Sequence, residues 1–297
     1  MKKKTVIIIL AVVVLLHVLI AAFLPTPIVY GALFSRYDAD AGETELPREK
    51  TEFASGKNVL TGYHYGAGDE KNGILVVIVP GFHAVQGDYS PVVGALLEEG
   101  FDVFTFDPTG CGESEGSDQI GFPQIREDIA ACLECVGENR SFGCESVCLL
   151  GHSRGGYGVC CMLDDCEGIS AAVSVGGINS AMEAVMSSPS NVLGKAGYLN
   201  YPGLWIWQAV LFGGGAVNDS AVSSINSSDT PVLIIQGADD GSVTPEVSSV
   251  YSHANELDES ARVELIPGGH VDTLYTDEGV NADTIALVAE FFRKNAG

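Results

Sequence analysis

"SVCLLGHSRGGYGVCCML", residues 146 to 163, decides the fold. The apolar run "SVCLL" is short enough for a buried strand, and "YGVCCML" opens a helical pattern that continues to Asp165. Between them lies "GHSRGG", a glycine-flanked serine at a strand-to-helix turn. Gly151, Gly155 and Gly156 leave room for a strained bend that lifts the Ser153 hydroxyl above the C-terminal edge of a sheet. The same bend aims the helix N-terminus, with its free N–H groups and positive dipole end, at any oxyanion formed there.

A second match to the glycine-x-serine-x-glycine pattern, "GESEG" at 112 to 116, lacks that context. Ser114 comes eight residues after the nearest apolar run, and Glu113 and Glu115 flank it with negative charge. It reads as a glycine-rich turn at the sheet edge, and Ser153 as the nucleophile.

Outward from the elbow, the chain alternates. Strand-like runs occur at "ILVVIV" (74 to 79), "FDVFTF" (101 to 106), "SVCLL", "ISAAVSV" (169 to 175), "PVLIIQ" (231 to 236) and "RVELI" (262 to 266). Helical patterns separate them at 91 to 99, about 124 to 138, 155 to 165 and 245 to 257, and a last one runs from 281 to 294. This order predicts an α/β protein with a mostly parallel central sheet and helices on both faces. "NVLTGYHYG" (58 to 66) adds an earlier antiparallel strand. The stretch from about 178 to 229 is too long for an ordinary connection and carries the apolar "YLNYPGLWIWQAVLFGGG", so it reads as a small cap insertion.

The N-terminus differs from all of this. "TVIIILAVVVLLHVLIAAFL", Thr5 to Leu24, is about 20 nearly unbroken apolar residues, enough as a helix to cross ~30 Å of hydrocarbon. A cleaved signal peptide has a shorter apolar core and a small-x-small site, and neither is evident here. Residues 1 to 24 are therefore read as one uncleaved transmembrane helix. Lys2, Lys3 and Lys4 stay inside, and the globular part lies on the extracytoplasmic side. Residues 25 to 55, with Pro25, Pro27 and Pro47, read as a juxtamembrane linker, and 56 to 297 as the globular α/β domain.

The formal charge of −24, from 39 acidic against 15 basic residues, repels phosphate backbones and excludes a nucleic-acid partner. Six of the eight cysteines, Cys132, Cys135, Cys148, Cys160, Cys161 and Cys166, fall in or just after helical and strand patterns where small buried hydrophobes belong, so they read as thiols rather than a disulfide framework. Cys132 and Cys135 imitate a metal motif, but no second cysteine or histidine pair stands at ligand spacing, and no metal is expected.

A serine nucleophile needs a base, and the chain has six histidines. His17 lies in the apolar span, His64 on an early strand and His253 in a helical pattern, while His152 beside Ser153 should point away from it. His83 and His270 remain. His270 follows the last strand through "PGG", at the sheet edge where a base is required. "QGADDGSVTPE" then offers Asp239 or Asp240, after the preceding strand, to orient it.

The order serine, aspartate, histidine, each after a successive strand, resembles the α/β-hydrolase family over residues 55 to 297, especially its serine-aminopeptidase and monoglyceride-lipase-like branch. "VPGF" is similar to that branch's glycine motif after the first central strand. Asp107, Gly110, Gly112 and Ser114 match its Asp-x-x-Gly-x-Gly-x-Ser turn, which accounts for "GESEG". Gly237, Asp240 and Val243 match its Gly-x-x-Asp-x-x-Val loop, and Gly269 and His270 its Gly-His.

The resemblance implies an α/β-hydrolase fold and a triad of Ser153, Asp240 and His270. It also implies an oxyanion hole from the backbone N–H groups of Phe82 and Arg154, and no cofactor. Pro80 stands where the family often has histidine, and Arg154 where an apolar residue is common; neither removes a backbone donor. The expected activity is hydrolysis of a small-molecule acyl ester. A peptidase of the same fold and a non-catalytic binding protein are the alternatives.

Overall fold

Eight strands form one sheet in the order β1-β2-β4-β3-β5-β6-β7-β8. The computed structural model describes residues 3–39, 45–68, 71–139, 142–186 and 198–296. An antiparallel hairpin, β1 (Glu49–Ser55) and β2 (Asn58–Tyr65), occupies one edge, and β2 runs antiparallel to β4 (Asp102–Phe106). From β4 onward every pairing is parallel: β3 (Ile74–Val79), β5 (Ser146–His152), β6 (Ile169–Val175), β7 (Val232–Gly237) and β8 (Ala261–Ile266). The chain thus has the mostly parallel α/β sheet that the alternation predicts.

Parallel strands joined by helical crossovers bury both faces, which is why β3 is apolar throughout, β7 is apolar from Val232 to Ile235, and both are buried at every position. Alternate residues divide between two cores. Leu75, Val77 and Val79 of β3 join Phe104, Leu149 and Ile234 beneath α4 (Gln124–Glu138) and α5 (Arg154–Cys161). Ile74, Val76 and Ile78 join Val103, Leu150 and Ile235 beneath α3 (Ser90–Glu98) and the C-terminal helix (Ala282–Ala296). Each buried aliphatic side chain contributes roughly 1.5–3 kcal/mol relative to exposure.

α1 (Lys3–Phe23) is long and apolar enough to cross a membrane, and its outer residues such as Ile7, Ile8 and Val14 are exposed. The stretch read as a linker, 25 to 55, is structured at both ends. α2 (Pro25–Leu33) sends Tyr30 into the core, Phe34 follows it there, and β1 closes the sheet edge. Two of the prolines that suggest a linker, Pro25 and Pro27, sit in the first turn of α2, where a missing N–H costs nothing.

The region between β6 and β7 holds a short helix at 181–186, α6 (Tyr201–Asn218) and α7 (Ala221–Asn226), the predicted insertion lying partly outside the described residues. The helix predicted over 245 to 257 is replaced by turns and a 3₁₀ segment, Val250–Glu256. Its backbone groups are taken by neighbours instead. Val250 N donates to Gly177 O at 3.0 Å, and Ser248 O accepts from Asn179 N at 3.0 Å.

Candidate active site

Three strand ends meet at the C-terminal edge of the sheet. β5 delivers Ser153, which has φ 55° and ψ −116°, a strained conformation for a residue with a side chain. The turn survives because its neighbours are glycines. A Cβ at Gly151 would strike the Gly155 carbonyl, and one at Gly155 would strike the Val79 carbonyl of the adjacent strand. The Ser153 amide is fixed to Val175 O of β6 at 2.9 Å.

β7 and β8 deliver the other two groups. His270 Nδ1 lies 2.7 Å from Asp240 Oδ2, and the Asp240 side chain is fully buried. Its remaining acceptor capacity is filled. Oδ1 accepts the Ser242 and Val243 amides, each at 2.8 Å, and Oδ2 accepts Gln236 Nε2 at 3.1 Å. Burial alone would raise the carboxyl, but the His270 hydrogen bond, the two amides and the His270 charge outweigh it and hold Asp240 below the ordinary value. Asp239, one residue earlier, is exposed, with its amide on Gly268 O.

Ser153 and His270 border the same short segment. The Ser153 amide bonds Val175, and a Cβ on the next residue, Gly176, would lie 3.2 Å from the His270 ring. Only a residue without a side chain leaves that space open. Opposite Ser153 stands Gly81, whose hypothetical Cβ would be 3.3 Å from the Ser153 Cβ. The two residues expected to offer amides flank this point: Phe82 follows Gly81, and Arg154 opens α5.

The Arg154 side chain turns away from the chemistry. It is 1% exposed, Nη1 donates to Gln119 Oε1 at 3.2 Å, and the guanidinium carbon lies 5.8 Å from the Phe82 ring centre. Burial pulls its pKa below the ordinary value. His83, the other histidine left open by the sequence, stacks on Phe82 at 4.1 Å and on Tyr37 at 5.2 Å. Burial and then the Arg154 charge keep it less basic than usual.

Sequence reasoning missed three neighbours. Tyr89 Oη accepts the Gly81 amide at 2.9 Å and meets His152 Nδ1 at 3.1 Å, so one hydroxyl ties the Phe82 loop to the elbow. His152 does point away from Ser153, but its ring lies 4.9 Å from that of His270 and its Nε2 is 3.3 Å from the His270 carbonyl. Burial and the His270 charge lower its pKa to about 4. Arg36 donates to the carbonyls of Gly112, Ser114 and Gly116, docking the segment after α2 on the "GESEG" turn. Ser114 Oγ is meanwhile engaged with the Thr61 amide and the Asp107 carbonyl. Nothing local in the sequence marks the longer-range contacts: Tyr89 and His152 are 63 residues apart, and Arg36 is 76 residues from Gly112.

A family model described as serine aminopeptidase, S33, matches residues 70–208. The uncharacterized protein YfhR of Salmonella typhi is 26% identical over 242 residues, covering 75% of this chain and 76% of that protein. YfhR of Escherichia coli (strain K12) is 27% identical over 223 residues, covering 71% and 68%. Among solved structures, an esterase of Pyrococcus furiosus superposes with a TM-score of 0.69 at 18% identity, covering 89% of this chain and 99% of that one. Est1E of Butyrivibrio proteoclasticus, solved with ferulic acid bound, gives 0.61 at 18%, covering 82% and 98%. An acylaminoacyl peptidase of Pyrococcus horikoshii gives 0.61 at 15%, covering 91% of this chain and 43% of that one. At these identities the structural likenesses carry the fold.

Proposed function

We propose that this chain, which has the α/β-hydrolase fold and matches the serine aminopeptidase family model over residues 70–208, is a membrane-anchored serine hydrolase that cleaves acyl esters through Ser153, His270 and Asp240. The observation that carries the reading is the buried Asp240–His270 pair at 2.7 Å beside a serine held at φ 55°.

Asp240 accepts the Nδ1 proton of His270 and so leaves Nε2 as the free base. Nε2 takes the Ser153 proton as Oγ attacks the acyl carbonyl, and the oxyanion is met by the Phe82 and Arg154 amides. The imidazolium then returns its proton to the leaving alkoxide, giving an acyl-enzyme. Water, deprotonated by the same imidazole, releases the acid and regenerates Ser153. The substrate is a small acyl compound, and α1 tethers the domain on the extracytoplasmic side.

A second reading, a peptidase taking a free amino terminus, draws on Glu183. This half-buried carboxylate lines a cavity of about 490 Å³ beside the Asp240 loop. Burial raises its pKa, and its Oε1 is held by Asn179 at 3.2 Å. A panel of p-nitrophenyl esters and aminoacyl nitroanilides decides between the two. Ester turnover that disappears in Ser153→Ala supports the proposal, and turnover of nitroanilides alone replaces it with the peptidase.

A further inference from the structure

α1 does not stand apart from the folded domain. It ends at Phe23, α2 begins at Pro25, and Leu24 N donates to Ile20 O at 3.0 Å, so helical bonding runs into the joint. α6 lies against both α1 and α2. Tyr30 Oη of α2 reaches Gln208 Oε1 of α6 at 3.4 Å inside the contact. A domain joined so tightly to a membrane-crossing helix has little freedom to leave the bilayer surface.

The outward sides of these helices suit that position. On α2, Ile28 and Val29 are 75% and 65% exposed. On α6 and the turn before it, Leu199 is 69% and Val210 61% exposed, with Tyr198, Tyr201 and Leu211 beside them. In a chain of net charge −24, no Asp, Glu, Lys or Arg occurs from residue 5 to 35 or from 198 to 218. An uncharged apolar face on an otherwise anionic protein, continuous with a candidate span, matches hydrocarbon and interface rather than water.

We infer that the outward sides of α2 and α6 are seated in the bilayer that α1 crosses, and that the acyl substrate is a lipid delivered from that bilayer. The substrate half rests on the serine-hydrolase reading above. Its structural support is the cavity beside the Asp240 loop. Tyr198 and Tyr201, at the start of α6, line it together with the apolar Met182, Met186 and Val247, and it reaches Ser242, whose amide holds Asp240. Near Ser153, α2 is followed by Phe34, whose ring packs on Phe82. The start of α6 thus lines the cavity at the Asp240 loop, and the residue closing α2 packs on Phe82.

The chain's only two tryptophans, Trp205 and Trp207, both lie on α6, so their emission reports the depth of that helix alone. The full chain is placed in phosphatidylcholine nanodiscs with plain acyl chains, or with chains brominated near the headgroup or near the chain end. Headgroup-side bromine is expected to reduce emission about twofold, and more than chain-end bromine does. Val210→Glu is expected to relieve the quenching by at least about half, and to slow hydrolysis of a long-chain ester carried in the disc about tenfold, with a water-soluble short ester changed less than about twofold.

Equal emission in plain and brominated discs overturns the seating of α6, even where a fluorophosphonate probe still labels Ser153. Quenching with equal losses on both esters in Val210→Glu overturns delivery from the bilayer. Quenching without any Ser153 labelling removes the hydrolase reading and the substrate half with it, while supporting the seating.

Discussion

The Phe34 ring meets the Phe82 ring edge-on, with centroids 5.3 Å apart and planes at 65°. Phe122 completes the cluster, 5.6 Å from each. The residue that closes α2 is thereby packed on the residue whose amide is proposed to face the oxyanion. Edge-on aromatic pairs add about 0.5–1.5 kcal/mol beyond their buried area, so the segment after α1 contributes to the shape of the site.

Truncation separates tether from wall. A chain lacking residues 1 to 24 keeps Tyr30 and Phe34 and is expected to fold, in mild detergent, with its activity on a short soluble ester retained. Phe34→Ala in the full chain empties a fully buried site and should lower stability by about 3–5 kcal/mol. Denaturant unfolding and ester turnover measured on both variants check this, and an inactive but folded truncation gives α1 a role beyond tethering.

The two glycine-flanked serines are expected to behave differently. Ser153→Ala should abolish fluorophosphonate labelling with little effect on unfolding. Ser114→Ala should keep the label but lose about 1–3 kcal/mol, because the Thr61 amide and Asp107 carbonyl lose a buried partner. Labelling that follows Ser114 instead reverses the assignment.

Asp240→Asn is expected to cut the turnover number by roughly 10³–10⁴, since an amide favours the wrong imidazole tautomer, while exposed Asp239→Asn changes little. The pH dependence carries a second signature. Asp240 has a folded value below its ordinary 3.8, so its contribution to stability is complete above that pH. It is lost as pH falls through the lower folded value, where the unfolded chain binds the proton first. Asp240→Asn should flatten that acid limb in urea titrations, and an unchanged limb places the effect elsewhere.

Tyr89→Phe leaves the Gly81 amide without its 2.9 Å acceptor and His152 without its hydroxyl partner. We expect a turnover number reduced about 10-fold with KM nearly constant, because the loss falls on oxyanion geometry. His152 itself should stay neutral down to about pH 4, as seen by its ring carbon shifts in NMR. Its folded value lies below the ordinary 6.5, so the stability it contributes is full above that pH and declines as pH falls toward 4. His152→Gln should remove the decline, and a ring that titrates near 6.5 contradicts the placement.

The sequence by itself determined the mostly parallel sheet and the strand-to-helix turn at Ser153. Near-continuous apolar runs such as "ILVVIV" and "PVLIIQ", alternating with helical patterns, fit strands of a parallel sheet buried on both faces, and "GHSRGG" admits a strained serine because its glycines leave room beside it. Those are local constraints, satisfied by neighbours in the chain. Tertiary structure decided what lies far apart in it. The choice of Asp240 over Asp239 was suggested by a spacing, but burial, the 2.7 Å contact to His270 and the Ser242 and Val243 amides distinguish the two side chains. The prolines at 25 and 27 suggested a linker, yet Tyr30 and Phe34 become core only because Gln208, Phe82 and Phe122 arrive from elsewhere. The helical pattern at 245 to 257 lost to hydrogen bonds with Gly177 and Asn179, partners about 70 residues upstream. Local propensity is worth tenths of a kcal/mol per residue, and pairing buried backbone groups is worth more, so the longer-range contacts prevail.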